Sequence, residues 1–173
     1  MSSADALAWF FVLGALVHNA EEAVYLPTWS KRFGPMRRPV PAGAFRFAVA
    51  AFSLLLVAAV AAATLQGPRS LGDYLFSGYV FAMVANVFVP HLAATIALRR
   101  CMPGTVTALA LNLPLGVLYL ARALSRGLVR PGAFAVAAAT VTLALAAAIP
   151  ALLALGRRLW PEAPREAGRD APS

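Results

Sequence analysis

The sequence predicts an all-α protein, a polytopic membrane helical bundle with five transmembrane helices. Three observations predict it. The chain is 61% hydrophobic and 13% charged, with a mean hydropathy of +0.73, well above a soluble domain. The apolar residues fall in long runs, not in an alternating pattern. Five of these runs approach the ~20 residues that a helix needs to cross ~30 Å of hydrocarbon.

The first run, residues 6–26, reaches Pro27, where the helix is expected to stop. No positive region precedes it, so it reads as a retained span and not as a signal peptide. The second, 43–65, ends before Gly67-Pro68, and the third, 74–98, is stopped by Arg99-Arg100. The fourth covers 103–120, and the fifth, 132–155, is closed by Gly156-Arg157-Arg158. Together they define a five-helix transmembrane domain over residues 1–160. Residues 161–173, rich in Pro, Ala, Gly and charge, read as a disordered cytoplasmic tail. Abundant alanine favours close helix approach in lipid. No internal repeat of the kind that marks many transporters is visible.

The formal net charge is +8, but the basic residues sit between apolar runs, where topology accounts for them and nucleic-acid binding is not implied. Lys31, Arg32, Arg37, Arg38, Arg99, Arg100, Arg157 and Arg158 fall on one side. Arg69, Arg126 and Arg130 fall on the other, with Arg122 at its edge. This bias expects a plasma-membrane protein with its amino terminus outside and its carboxyl terminus in the cytoplasm. Cys101 is the only cysteine, which excludes an intrachain disulfide and a cysteine metal cluster.

The chemistry concentrates at His18-Asn19-Ala20-Glu21-Glu22, where two carboxylates and an imidazole occupy an otherwise apolar span at high cost. On a helix, His18, Glu21 and Glu22 spread over an arc of about 100°. Gly14 and Ala15 share their face one turn earlier and leave room for a neighbouring helix, and Tyr25 follows one turn later. His18 lies eight residues before Leu26, His91 seven before Leu98, and Asn112 nine after Pro103. At 1.5 Å per residue all three are roughly 10–14 Å from the same boundary. If successive helices alternate in direction, His18, Glu21, Glu22, His91 and Asn112 share one layer. The competing reading ends the first helix early and leaves the carboxylates among headgroups.

The third run adds Asn86 and Pro90. Proline cannot donate to the carbonyl four residues back, so a bend is expected just before His91. A hydrogen bond to Thr95 or to a backbone carbonyl is the alternative for that ring. The fourth run carries a polar stripe, Thr105, Asn112 and Tyr119, spaced by seven and expected to face inward, with Gly116 beside it. The fifth, with Thr140 and Thr142 its only polar side chains, reads as scaffold. In the second, Arg46 and Ser53 are the contact candidates, Arg46 near enough to the boundary to snorkel.

The stretch His18-x-x-Glu21-Glu22 resembles the HXXEE domain family of small bacterial membrane proteins, and Asn86-Val87-Phe88-Val89-Pro90-His91 and Pro103-Gly104 fit the same resemblance, over roughly Trp9 to Leu155. It implies the five-span fold and the weight of the motif, and no particular reaction.

Two histidines with one or two glutamates suit a divalent metal, zinc first, with iron or manganese as other candidates. The expected metal set is His18, Glu22 and His91. Glu21 and Glu22 are the expected catalytic carboxylates, one a ligand and the other a general base toward metal-bound water. Asn86, Asn112, Tyr25, Tyr119 and Thr105 form the expected supporting polar shell. The protein would then be a hydrolase-like membrane enzyme acting on a lipid or amphiphilic substrate reached from the bilayer. Three readings stand beside it: a small proton- or cation-coupled transporter, which a homo-oligomer would help complete; non-metal acid catalysis on a lipid-soluble substrate; and a structural protein whose polar groups pair only with one another.

Overall fold

A computed structural model of the chain describes residues 3–33 and 39–161. Arg37, Arg38 and residues 162–173, with the expected disorder of the tail, lie outside the described residues. Among the described residues all regular structure is helical, and five helices are long and apolar enough to cross a membrane: Ala6–Arg32, Ala42–Gln66, Leu71–Leu98, Thr105–Ser125 and Pro131–Leu159. The first four contact one another in a ring, first to second, second to third, third to fourth, and fourth back to first. The fifth packs outside the ring against the second and third, the peripheral position expected of scaffold.

The first helix corrects the sequence expectation. It does not stop at Pro27 but runs over Ser3–Phe33. Pro27 has no N–H for the Ala23 carbonyl, and the Arg46 guanidinium supplies the donor instead, with Nε 3.2 Å from that oxygen. Arg46 thus compensates a proline in the neighbouring helix. The fourth helix likewise continues past residue 120 to Ser125 and stops only where Gly127 turns the chain at φ +67°.

Two helices are irregular where the site lies. In the third, a kinked segment, Val87–Leu92, follows the regular helix Leu71–Asn86. Within it Val89 takes φ −134°, ψ 115°, the extended region into which a following proline pushes its neighbour. The bend expected just before His91 is therefore present. In the fourth, a π-helical segment, Ala108–Asn112, precedes the regular helix Leu113–Ser125. Pro114 follows closely, and the wider turn relieves its missing donor.

Apolar packing occupies the half of the ring away from the basic boundary. Phe11, Leu56, Val60, Phe76, Val80 and Ala123 are completely buried there. Phe76 meets Phe11 and Tyr119 edge to face, with ring centroids 6.2 and 4.9 Å apart. Close approach depends on glycine. A Cβ on Gly72 would lie 2.5 Å from the Ala62 carbonyl carbon, and one on Gly156 would lie 2.7 Å from Ala44 Cα. Gly14, expected to admit a neighbour, lies against Leu111 and Leu115 of the fourth helix. The polar cluster fills the other half of the ring.

Candidate metal centre

Three segments build the cluster. The first helix supplies His18, Glu21 and Glu22 from consecutive turns. The bent third helix supplies His91. The loop Arg99–Gly104 then reverses the chain, with Arg99 and Gly104 at positive φ (50° and 87°). Thr95 stitches this loop shut: its Oγ1 accepts the Met102 N–H at 3.1 Å and meets Thr105 Oγ1 at 3.0 Å. Thr95 is thereby committed to the loop, not to His91. The tight reversal brings Gly104 and the first turn of the fourth helix onto the cluster.

Glu22 spans the two imidazoles. Its Oε2 lies 3.6 Å from His18 Nε2 and its Oε1 lies 3.4 Å from His91 Nε2. The two rings stand edge to face, centroids 4.9 Å apart and planes at 81°. Both histidines are fully buried, and the Glu22 side chain is 16% exposed. One ligand atom from each of His18, Glu22 and His91 lies within 4.8 Å of the others. Neither imidazole Nε2 makes a hydrogen bond.

The other face of His18 is fully engaged. Nδ1 lies 3.1 Å from the Gly104 carbonyl oxygen and 3.1 Å from Thr107 Oγ1. A carbonyl can only accept, so Nδ1 carries the proton toward it, and in the neutral ring Nε2 then holds the lone pair. That lone pair faces Glu22 Oε2 across 3.6 Å.

Glu21 points elsewhere, as the ~100° step between adjacent helical residues requires. Its Oε1 accepts the Gly104 N–H at 3.0 Å and its Oε2 accepts the Thr107 hydroxyl at 2.6 Å. One oxygen is thus taken by the loop and the other by the first turn of the fourth helix.

Gly104 sits against everything at once. A Cβ there would meet His91 Cε1 at 2.8 Å, Glu22 Cγ at 2.9 Å and His18 Cε1 at 2.9 Å. Beside it, a groove of about 400 Å³ opens at the boundary marked by Arg32, Arg99 and Arg100, walled by Glu21, Tyr25, Trp29, Arg32, Met102 and Pro103. Glu21 is the residue that the groove and the polar layer share.

The supporting shell is placed unevenly. Tyr25 is 60% exposed and lines the groove. Thr105 is buried and bonds Thr95. Asn112 is fully buried in the π-helical segment, without a hydrogen bond from its amide to the described protein. Asn86, half-buried, ends the regular part of the third helix. Tyr119 is a correction. It lies twelve residues beyond Thr107, about 18 Å along a helix, and packs in the apolar core with its hydroxyl 3.4 Å from Ser77 Oγ. Of the second-helix candidates, Ser53 accepts from Asn19 Nδ2 at 2.9 Å.

Sequence reasoning misses Thr107, and it names Gly104 only within the Pro103-Gly104 resemblance and not as a wall of the cluster. Thr107 is turned about 200° from Thr105, off the seven-residue stripe that drew attention to the fourth helix. Gly104 carries no side-chain chemistry. The available signal was the loop length, since four residues between Arg99 and Gly104 force this turn onto the first helix.

Fold and site together define a polytopic membrane protein with a buried His/Glu cluster. Residues 9–119 match the family described as "Protein of unknown function with HXXEE motif", and the chain belongs to that family. The match holds the whole cluster and ends before the fifth helix, short of the Leu155 expected from the resemblance. The chain is also 30% identical over 152 residues to "Uncharacterized protein YrkK" of Bacillus subtilis (strain 168), covering 88% of this chain and 96% of that one. No solved structure matches it.

Proposed function

We propose that His18, His91 and Glu22 hold a divalent metal ion within the membrane, and that the protein is a hydrolase-like metalloenzyme acting on a lipid or another amphiphile. One observation carries this reading: two imidazole Nε2 atoms and both oxygens of one carboxylate converge at 3.4 and 3.6 Å without a hydrogen bond. An N–H···O hydrogen bond would draw such atoms to about 2.7–3.2 Å. A tetrahedral ion with ligand bonds of about 2.0–2.1 Å spaces its ligand atoms about 3.3–3.4 Å apart. The His18 Nε2 lone pair and a Glu22 oxygen that face one another without a hydrogen bond are relieved by a cation between them, and a divalent metal is the cation this reading supplies. The N₂O donor set suits zinc first and admits iron or manganese.

Three protein ligands leave a coordination position for water or substrate, as in catalytic zinc sites. A bound metal would supply a Lewis acid and a water of lowered pKa. Asn112 is fully buried with no hydrogen bond from its amide to the described protein, which leaves it as a candidate contact for a bound molecule. The groove between Glu21, Tyr25, Trp29 and Met102 is walled by both polar and apolar surface, and its opening at the basic boundary suits a molecule with one end in lipid. The basic residues further support a plasma-membrane orientation with the amino terminus outside, the carboxyl terminus inside, and this groove on the cytoplasmic side.

The test is elemental analysis of detergent-purified protein, wild type beside His91→Ala. Near-stoichiometric zinc, iron or manganese in the wild type and none in the variant is the expected result. No metal in either protein after attempted reconstitution overturns the metal reading. The same converging acceptors would then hold a proton, and flux assays in liposomes and acid catalysis on lipid-soluble substrates become the next measurements.

A further inference from the structure

Glu21 lies outside the proposed metal set, yet both of its oxygens are hydrogen-bonded, one to the Gly104 N–H and one to the Thr107 hydroxyl that in turn meets His18. The Thr107 hydroxyl has one proton and two acceptor positions. The proton goes to the nearer and charged acceptor, Glu21 Oε2 at 2.6 Å, in preference to the Gly104 carbonyl at 3.2 Å. A lone pair on Oγ1 therefore faces His18 Nδ1, 3.1 Å away. The remaining oxygen of Glu21 takes the Gly104 N–H, and the Gly104 carbonyl is the second acceptor for the same His18 nitrogen. Of the two acceptors that reach His18 Nδ1, Thr107 Oγ1 is oriented directly by Glu21, while the Gly104 carbonyl also accepts the Ala108 N–H at 2.8 Å and is tied to Glu21 through the Gly104 N–H.

We propose that Glu21, acting through Thr107 and Gly104, is a positioning carboxylate that locks His18 in its Nδ1–H tautomer and aims Nε2 at Glu22 and His91. This assigns Glu21 a role other than general base, because its two oxygens are spent on the clamp. The arrangement is a carboxylate–hydroxyl–histidine relay, a longer version of the carboxylate–histidine pairs that orient metal-binding imidazoles. It also explains the two adjacent glutamates. The motif needs one carboxylate toward the ion and one toward the loop, and consecutive helical positions point ~100° apart. As a metal-site device the inference rests on the metal reading above; as a tautomer lock it stands without metal.

The experiment separates the two. Nitrogen-15 NMR of histidine-labelled, metal-free protein in detergent reads the His18 tautomer. Zinc competition against a chromophoric chelator reads affinity. Wild type, Thr107→Val, Thr107→Ser and Glu21→Gln are compared. The Nδ1–H tautomer is expected for His18 in wild type and in Thr107→Ser. In Thr107→Val and Glu21→Gln the Nδ1–H population is expected to fall in favour of Nε2–H, because only the Gly104 carbonyl, held by the Ala108 N–H, remains to favour the Nδ1–H form. Zinc affinity is expected to fall about 10–100-fold in those two variants, the usual effect of losing an outer-sphere partner, with stoichiometry kept and with rescue in Thr107→Ser. A His18 tautomer and zinc affinity unchanged in both Thr107→Val and Glu21→Gln overturn the clamp. A tautomer that responds in protein that binds no zinc upholds the lock and overturns the metal reading.

Discussion

Gly104 is the residue on which the site closes. It combines a positive φ of 87° with contact on His18, Glu22 and His91 together. Alanine there would carry the left-handed penalty, about 1–2 kcal/mol, and would also push a methyl group into all three side chains. Gly104→Ala is expected to destabilise the protein by about 2–4 kcal/mol and to abolish stoichiometric metal. Gly132 provides the control, because a Cβ there meets nothing within 4 Å. Gly132→Ala should change stability by less than about 0.5–1 kcal/mol. Unfolding in detergent with a graded denaturant, beside elemental analysis, measures both. Equal stabilities for the two variants would refute the packing argument. For Glu22, a carboxylate between two imidazoles, Glu22→Gln keeps the size and removes the charge. It should lower zinc affinity more than Glu21→Gln does, since only Glu22 faces both Nε2 atoms; chelator competition ranks them.

At the scale of the element, prolines decide where helices deviate, and neighbours repair what prolines break. Pro27 does not end the first helix because Arg46 Nε takes over the Ala23 carbonyl. Pro27→Ala restores a backbone donor for that carbonyl, so the Arg46 bond becomes redundant. Arg46→Ala is expected to cost about 1 kcal/mol in the wild-type background and close to nothing beside Pro27→Ala. A double-mutant cycle on unfolding free energy reads the coupling, and additive effects would dismiss the compensation. The second and third helices touch backbone to backbone at Gly72, where a Cβ would be 2.5 Å from the Ala62 carbonyl carbon. Gly72→Ala should therefore destabilise by about 1–3 kcal/mol, although alanine is the better helix former.

For the molecule as a whole, the ring of four helices divides its labour. Aromatic and aliphatic packing fills one half, and the polar cluster fills the half nearer the basic boundary. Trp160, packed on Phe47 with centroids 5.6 Å apart, lies at that same boundary, where tryptophan is commonly found. The orientation can be read with a native probe. Cys101 is exposed in the loop between the third and fourth helices. In the proposed orientation a membrane-impermeant maleimide should label it in inside-out vesicles and not in right-side-out vesicles. Labelling only from the outside would invert the protein and leave the geometry of the site untouched.

Composition and run length alone determine five spans, because the energy of burying apolar side chains in lipid depends on residue type summed along a helix and not on neighbours. The shared depth of His18 and His91 is legible for a similar reason: rise per residue is constant, so distance from a boundary is a matter of counting. The bend before His91 follows from Pro90, whose effect is local and steric. What the tertiary structure decided is everything that depends on rotation about a helix axis and on contacts across the ring. It turned Glu22 toward the imidazoles and Glu21 toward a loop. It placed Thr107 and Gly104 against His18 from 86 to 89 residues away in sequence, carried the first helix through Pro27, and sent Tyr119 into the apolar half. Each of these results from a partner on another segment, and a one-dimensional pattern does not encode which donor will find which acceptor.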